Sequence, residues 1–574
     1  MSTSTNIAPK KNAKDLAARI GWAVLICATL YVCYFSHLGA IGFVGPDEPR
    51  YAWIARDMAE TGDWVTPRLY GRPWFEKPPL YYWGAAICFK LFGVSEAAAR
   101  LPSAISALLA TLALAWLAWR IYGAETACWL LLLLPTTVGM IGFSHAAATD
   151  MPFSAMLTIA MVCAAVLVGL VPGESSREGA QHAAPLRGET DASGRQWLAL
   201  ILFGFFLGLA MLAKGPAAII LCGGAVFFWA LFTNRWRDAL RLFHPAALTS
   251  FCVTALPWYI LCARRNPDFF RIFIIEHNFK RYLTPEFQHI QPFWFYGPIL
   301  IAALLPWTAM LVAPISDAWR ASKMGLWRQS SSLLFICFAL FTVLFFTVSK
   351  SKLPGYVLPA VLPLGIFLSQ AVSLRIRNIV PGVRWIAATG GVSLICLTLG
   401  IFGASNKLPI AIDYFPPQPL LWVAMADFAA AIAALVLAFR GRAKRSLLVA
   451  IVSVVLTLYF GLAGNFAWAL DLGTSSRWAA RPPDNVPVDY WSSHSATYRL
   501  NRSFQYGLAF YFHRELPEWS KDTSERSWVY TTPRQMTELS GMGLQCPHFM
   551  AFPAMVVCEV PESPARPPSS GKPQ

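Results

Sequence analysis

The chain reads as a polytopic α-helical membrane protein with a small α/β domain at its C-terminal end. Three observations point there. Hydrophobic residues make up 56% of 574 and charged residues only 14%, with a mean hydropathy of +0.47. Apolar runs near the ~20 residues needed to cross a bilayer recur as far as Leu470 and then stop. Lys and Arg gather in short links between those runs, so the formal charge of +16 reflects membrane topology and excludes nucleic acid as its explanation.

Taken in order, Lys10, Lys11, Lys14 and Arg19 precede a first apolar run at 20–35, which sets the N-terminus inside and loop one outside. Further spans are predicted at 101–119, 124–143, 151–170, 197–212, 216–232, 245–262, 294–314, 332–348, 356–373, 385–403, 419–439 and 446–468, about thirteen in all. The inside links carry Arg235, Arg237, Lys323, Arg328, Arg375, Arg377, Arg384 and the basic run 440–445, as the positive-inside rule expects. A polar stretch, 173–196, reads as a flexible inside insert. The membrane domain is thus 1–470, and an odd number of spans sends 471–574 to the side of loop one.

That last stretch alternates aromatic-rich segments with turns, the pattern of a small α/β domain, and its Pro/Ser-rich end after Pro561 is expected to be disordered. None of the twelve cysteines lies in a Cys-x-x-Cys spacing. Ten fall in the apolar part. Cys546 and Cys558, in the tail, are expected to form a disulfide in an oxidising outer compartment, across two adjacent antiparallel strands.

Loop one, 43–85, is the most informative stretch. Asp47 and Glu48 open a segment whose apolar repeat, Ala52, Ile54, Ala55, Met58 and Ala59, suggests a short amphipathic helix lying on a membrane. Tyr70, Trp74, Phe75, Tyr81, Tyr82 and Trp83 then crowd its second half at the level of the headgroups.

Outward loops should be poor in cations, yet Lys77, Lys214, Arg281 and Lys352 all fall there, beside apolar spans. A lone lysine so placed would snorkel to lipid phosphates. Four converging at one face suit a bound phosphate. Asp47, Glu48 and Asp150 face the same side, which makes a catalytic group of carboxylates plausible against the simpler reading of Asp150 as a helix cap. Glu76 and His277 are candidate ligands for a divalent ion.

These residues sit in an order that resembles a known family. Pro-Asp-Glu-x-Arg-Tyr at 46–51, Phe-Glu-Lys-Pro-Pro at 75–79, Tyr-Tyr-Trp at 81–83, Ala-Lys-Gly-Pro at 213–216, Glu-His-x-x-x-Arg-Tyr at 276–282 and Ser-Lys-Leu-Pro-Gly-Tyr at 351–356 look like the bacterial polyprenyl-phosphate-dependent glycosyltransferases of the GT-C class. These are relatives of the protein O-mannosyltransferases. Within that group the chain most resembles the aminoarabinose transferases that modify lipid A, over about residues 20–470.

The resemblance implies transfer of 4-amino-4-deoxy-L-arabinose from undecaprenyl phosphate to lipid A, at the periplasmic face of the inner membrane. That modification of lipopolysaccharide gives resistance to polymyxin. It implies Asp47 as the key carboxylate, with Asp150 a second acid of the site. Lys77, Arg281 and Tyr356 would hold the carrier phosphate, with Arg50 and Lys214 nearby, and Glu76 and His277 would stand where a metal binds. No nucleotide is expected, since no Gly-rich phosphate loop is present. Transfer of another sugar, to protein or to another glycan, stays open at this point. So do two other classes: a flippase for a lipid-linked sugar, which would carry midplane polar residues and paired repeats, and a non-catalytic scaffold with dispensable loop-one acids.

Overall fold

The computed structural model describes residues 9–171, 188–284, 290–405, 418–482, 486–520, 527–546 and 555–561. The Pro/Ser-rich end after Pro561, expected to be disordered, and most of the polar insert lie outside them, although a helix, Gly188–Lys214, already begins within the insert.

Helices dominate because long apolar runs leave the backbone no partner but itself in a bilayer. Eight of the described helices are long and apolar enough to cross a membrane, or ten if each of two bent pairs counts as one span. The bent pairs are Ala124–Leu133 with Val138–Ser144, at 64°, and Tyr296–Ala303 with Thr308–Lys323, at 107°. Pro135 and Pro306 lie in the two breaks, where a missing N–H and a ring clash end the first helix of each pair. Three shorter apolar helices, Ala217–Thr233, Leu333–Val348 and Val383–Cys396, fall on the remaining predicted spans. Each of the thirteen predicted spans thus has an apolar helical segment, and a further short one, Leu80–Phe92, falls in loop one. Length and composition alone qualify eight to ten.

Helix ends carry local signals. The Ser95 hydroxyl accepts from Ala98 N–H at 3.2 Å and opens Glu96–Tyr122, and Gly123 closes that helix by donating to Ala118 and Trp119. At this far end the predicted inside links meet one another. Arg377 pairs with Glu125 at 2.8 Å, Arg375 grips Asp317 at 2.8 and 3.0 Å, and Arg235 donates to Val168 O at 2.5 Å.

The other end is built by loop one and the tail. Helix Asp47–Thr61, ended by the left-handed Gly62, is followed by a two-stranded ribbon (β1 Arg68–Leu69, β2 Arg72–Pro73) and by helix Leu80–Phe92. Over it lies the tail, an α/β unit as expected. Its three-stranded sheet runs β3 (Ser495–Thr497), β4 (Trp528–Thr531), β5 (Val556–Glu559), with β3 parallel and β5 antiparallel to β4. Helix Arg502–Phe512 carries Phe510 into the apolar cluster of loop one. Tail and loop one thus share a side, as an odd number of spans requires.

The apolar face of helix Asp47–Thr61 does not lie on a membrane. Tyr51, Ala52, Ile54, Ala55 and Met58 are buried in one cluster with Tyr81, Tyr82 and Phe510. An amphipathic pattern states that one face is covered, and here the cover is protein.

Cys546 and Cys558 are bonded, with Cα atoms 4.3 Å apart. Gln545 and Glu559 exchange both backbone hydrogen bonds at 2.8 Å, so the two cysteines face each other across the adjoining non-hydrogen-bonded pair, where antiparallel Cα atoms come closest. Replacing Cys558 by Ser should destabilise the tail by roughly 3 kcal/mol while leaving the membrane helices folded. Protease resistance of the tail with and without reductant measures this, and unchanged resistance would count against it.

Candidate active site

Asp47 and Glu48 are neighbours in sequence with opposite fates, because successive side chains leave a helix about 100° apart. Glu48 turns inward. Its carboxylate takes Arg100 Nε at 3.0 Å and Nη2 at 2.8 Å, Ala147 N–H at 2.6 Å and Val44 N–H at 2.8 Å. Its oxygens are spent on these four donors and it is buried, an arrangement that suits holding the loop in place more than the catalytic role expected of it.

Asp47 turns outward and is 49% exposed. Arg50, one turn on, donates from Nη2 to Asp47 Oδ1 at 2.5 Å and lies 3.0 Å from Glu76 Oε2. Arg50 therefore bridges two acids. It does not line the cavity described next, as its expected part in phosphate binding would require.

Glu76, 9% exposed, is the hub of the site. Besides Arg50 it holds Arg281 at 3.2 Å and Lys77 at 3.4 Å. Those three cations hold its carboxyl well below the usual range, against the opposing effect of burial. Arg281 follows an unusual element, a π-helix at Arg271–Lys280. Widened turns of this kind are costly and gather at functional sites. Here His277, Asn278 and Arg281 all face one cavity, while Glu276 is turned away onto Arg271 at 2.5 Å.

That cavity, about 330 Å³, has a polar pole and an apolar wall. Lys77, Lys214, Arg281, Glu76, His277 and Tyr356 form the pole, and Ile220, Phe279, Leu283, Phe345 and Phe346 form the wall. Three cations stand there against one carboxylate. An anion carrying a long apolar chain is the ligand such a shape accepts.

Asp150 begins helix Asp150–Leu167 and pairs with Lys214 at 2.5 Å. The Lys214 ammonium also lies 4.6 Å from the centre of the Tyr356 ring, a cation–π contact that joins three separated motifs. Gly355 makes the approach possible: a Cβ there would lie 2.4 Å from Asp150 Oδ1.

Of the expected phosphate ligands, Lys77, Lys214, Arg281 and Tyr356 converge. Lys352 does not. It is buried, and its ammonium donates to Ser349 O at 2.7 Å and Gln291 O at 3.1 Å, which staples a loop. Glu76 and His277 do share the cavity wall, but no group of three His, Cys, Asp or Glu stands together among the described residues. With three cations already on Glu76, a divalent ion there would depend on ligands from a phosphate or water. Arg100 was legible only as one more cation at the start of a span.

Burial pushes the Lys77 ammonium down to about 8, with Glu76 holding it up and Arg281 and Lys214 adding to the fall. The charged form prevails below that pH and is lost above it. A phosphate monoester is fully ionised by then, its second pKa being about 6. Affinity for inorganic phosphate or a phospholipid-like headgroup should therefore fall above pH 8, by up to about tenfold per unit, and Lys77→Arg should remove the dependence. A flat profile to pH 10 in calorimetric titrations would oppose this. Gly355→Ala should push Asp150 off Lys214, displace that ammonium from the cavity and weaken phosphate binding by about tenfold, or ~1.4 kcal/mol. Wild-type affinity in that variant would show that the loop yields freely.

The protein-family description “Dolichyl-phosphate-mannose-protein mannosyltransferase” matches residues 20–273. An undecaprenyl phosphate-alpha-4-amino-4-deoxy-L-arabinose arabinosyl transferase of Edwardsiella ictaluri is 32% identical over 397 residues, 67% of this chain and 66% of that one. Its counterpart in Erwinia tasmaniensis is 34% identical over 326 residues, 57% and 54% of the two chains. The chain thus spans between about half and two thirds of the length of these curated relatives. Crystal structures of ArnT from Cupriavidus metallidurans, in the apo state and bound to undecaprenyl phosphate, share the fold with TM-scores of 0.71 and 0.68. Each is 23% identical to this chain, and the match covers 94% of this chain and 98% of that one. Motif order, fold and these matches agree: over part of their length the chain is similar to the undecaprenyl phosphate-aminoarabinose transferases, and it shares the fold of ArnT.

Proposed function

We propose that the chain transfers 4-amino-4-deoxy-L-arabinose from undecaprenyl phosphate to a phosphate of lipid A, at the periplasmic face of the bacterial inner membrane. The observation that carries this reading is the cavity of three cations and an apolar wall. The curated relatives named as undecaprenyl phosphate-aminoarabinose transferases supply the sugar and the carrier.

The donor is a phosphodiester with one negative charge. As its sugar C1–O bond breaks, the leaving phosphate gains a second charge and the ring becomes oxocarbenium-like. Lys77, Lys214 and Arg281, with the Tyr356 hydroxyl, meet that charge as it develops, which is where fixed donors gain most over water. An acceptor phosphate oxygen forms the new bond to C1. It is already ionised at neutral pH, so no proton has to be removed.

Asp47 is then freed from acting as a base. Half exposed beside Arg50, it serves to orient the acceptor or to offset positive charge on the sugar. A hydroxyl acceptor would need Asp47 as a true general base instead.

Lys77→Ala and Arg281→Ala should each lower kcat by about 10²–10³, or ~2.7–4 kcal/mol, and weaken carrier binding. Asp47→Asn should abolish transfer while carrier affinity stays near wild type. Mass spectrometry of lipid A from cells with and without the gene tests the reaction itself. Identical lipid A from both would refute the assignment, and normal modification by Asp47→Asn cells would remove Asp47 from the mechanism.

A further inference from the structure

Arg50 links the outward acid of loop one to the hub of the site through one nitrogen. Its Nη2 meets both Asp47 Oδ1 and Glu76 Oε2, at 2.5 and 3.0 Å. Its Nε is buried and has no hydrogen-bond partner. A guanidinium held at a single corner is free to swing about that corner, so its plane must be fixed by what lies against its faces. Three rings do this. The Arg50 Cζ lies 5.2 Å from the centre of Tyr51, 5.5 Å from Trp74 and 5.6 Å from Tyr506.

Tyr51 and Trp74 belong to loop one. Tyr506 belongs to the tail, more than four hundred residues on, in helix Arg502–Phe512. That helix is well anchored for the task. Arg56 Nη1 donates to Phe510 O at 3.2 Å, and the Tyr511 hydroxyl donates to Glu96 at 2.8 Å and accepts from Phe43 N–H at 3.1 Å. Tyr506 itself stacks on Tyr70 with centroids 6.4 Å apart, and Tyr70 meets Trp53 edge-on at 4.9 Å. The ring against Arg50 is therefore held from behind by loop one and from below by its own helix.

We propose that Tyr506 is a positioning residue of the transfer reaction, through which the tail domain fixes the Asp47–Arg50–Glu76 row. The tail is then a working part of the site rather than an appended module. This inference rests on the reaction proposed above. It also separates the ring from the hydroxyl: a cation–π contact uses the face of the ring, so phenylalanine should serve as well as tyrosine.

The test measures kcat and affinity for undecaprenyl phosphate in the full-length protein. Tyr506→Leu should lower kcat by about tenfold, in the range of a desolvated cation–π contact, with carrier affinity unchanged because the cavity cations are untouched. Tyr506→Phe should stay within about twofold of wild type. In an Arg50→Met background the Tyr506→Leu change should have no further effect, since the contact it removes is already gone. That cycle keeps the test decisive even where the Leu variant loosens the tail. Equal losses in the two backgrounds, a Phe variant as impaired as Leu, or wild-type kcat in Tyr506→Leu would each overturn the proposal. The wild-type rate judges the proposed reaction, and only the ratio of variant to wild type judges Tyr506.

Discussion

A buried guanidinium with every donor engaged holds the outer end of this molecule together. Arg100 spends Nε and Nη2 on Glu48, and gives further hydrogen bonds to Leu38 O at 2.8 Å, Ile41 O at 2.6 Å and Gly42 O at 2.9 Å. Charge this deep is tolerated only when paired and fully hydrogen-bonded, and removing one partner costs about 3–5 kcal/mol. The pair sets the turn before helix Asp47–Thr61, and hence the direction in which Asp47 leaves it. Through Ala147 N–H it also fixes the approach to Asp150. Two acids from distant motifs are thereby placed relative to one another by a third that is buried beneath them.

The same small region roots the tail. Asp471 accepts from Gly42 N–H at 2.7 Å, and Arg477 pairs with Glu96 at 2.8 Å and donates to Gly39 O at 2.9 Å. The segment 39–44 is thus gripped from the membrane side by Arg100 and from the tail side by Asp471, Arg477 and Tyr511. Loop one's own ribbon has two residues in each strand, too short to be stable alone, and packing between the tail and the membrane helices supports it.

Composition and periodicity made the helices legible, because a bilayer admits few alternatives. Lys77, Lys214 and Arg281 were legible because they break the charge asymmetry of the loops, and all three line one cavity. Lys352 breaks the same rule and fails, since backbone carbonyls can satisfy an ammonium as well as a phosphate does. A linear string cannot say which. Nor can it separate Asp47 from Glu48, where one step along a helix decides between solvent and core. Arg100 and Tyr506 stayed invisible for a further reason: their partners lie 52 and about 456 positions away, and only tertiary structure joins them. The π-helix left no mark in the apolar pattern.

The imbalance of three cations to one carboxylate in the cavity wall has a consequence for turnover. Under the proposed reaction the departing carrier bears more negative charge than the donor that entered. Groups that steady a developing charge also hold the species in which it is complete, so the spent carrier binds more tightly than the loaded one. Under that reaction, accumulated carrier phosphate competes with the loaded donor for the same three cations and so acts as a product inhibitor.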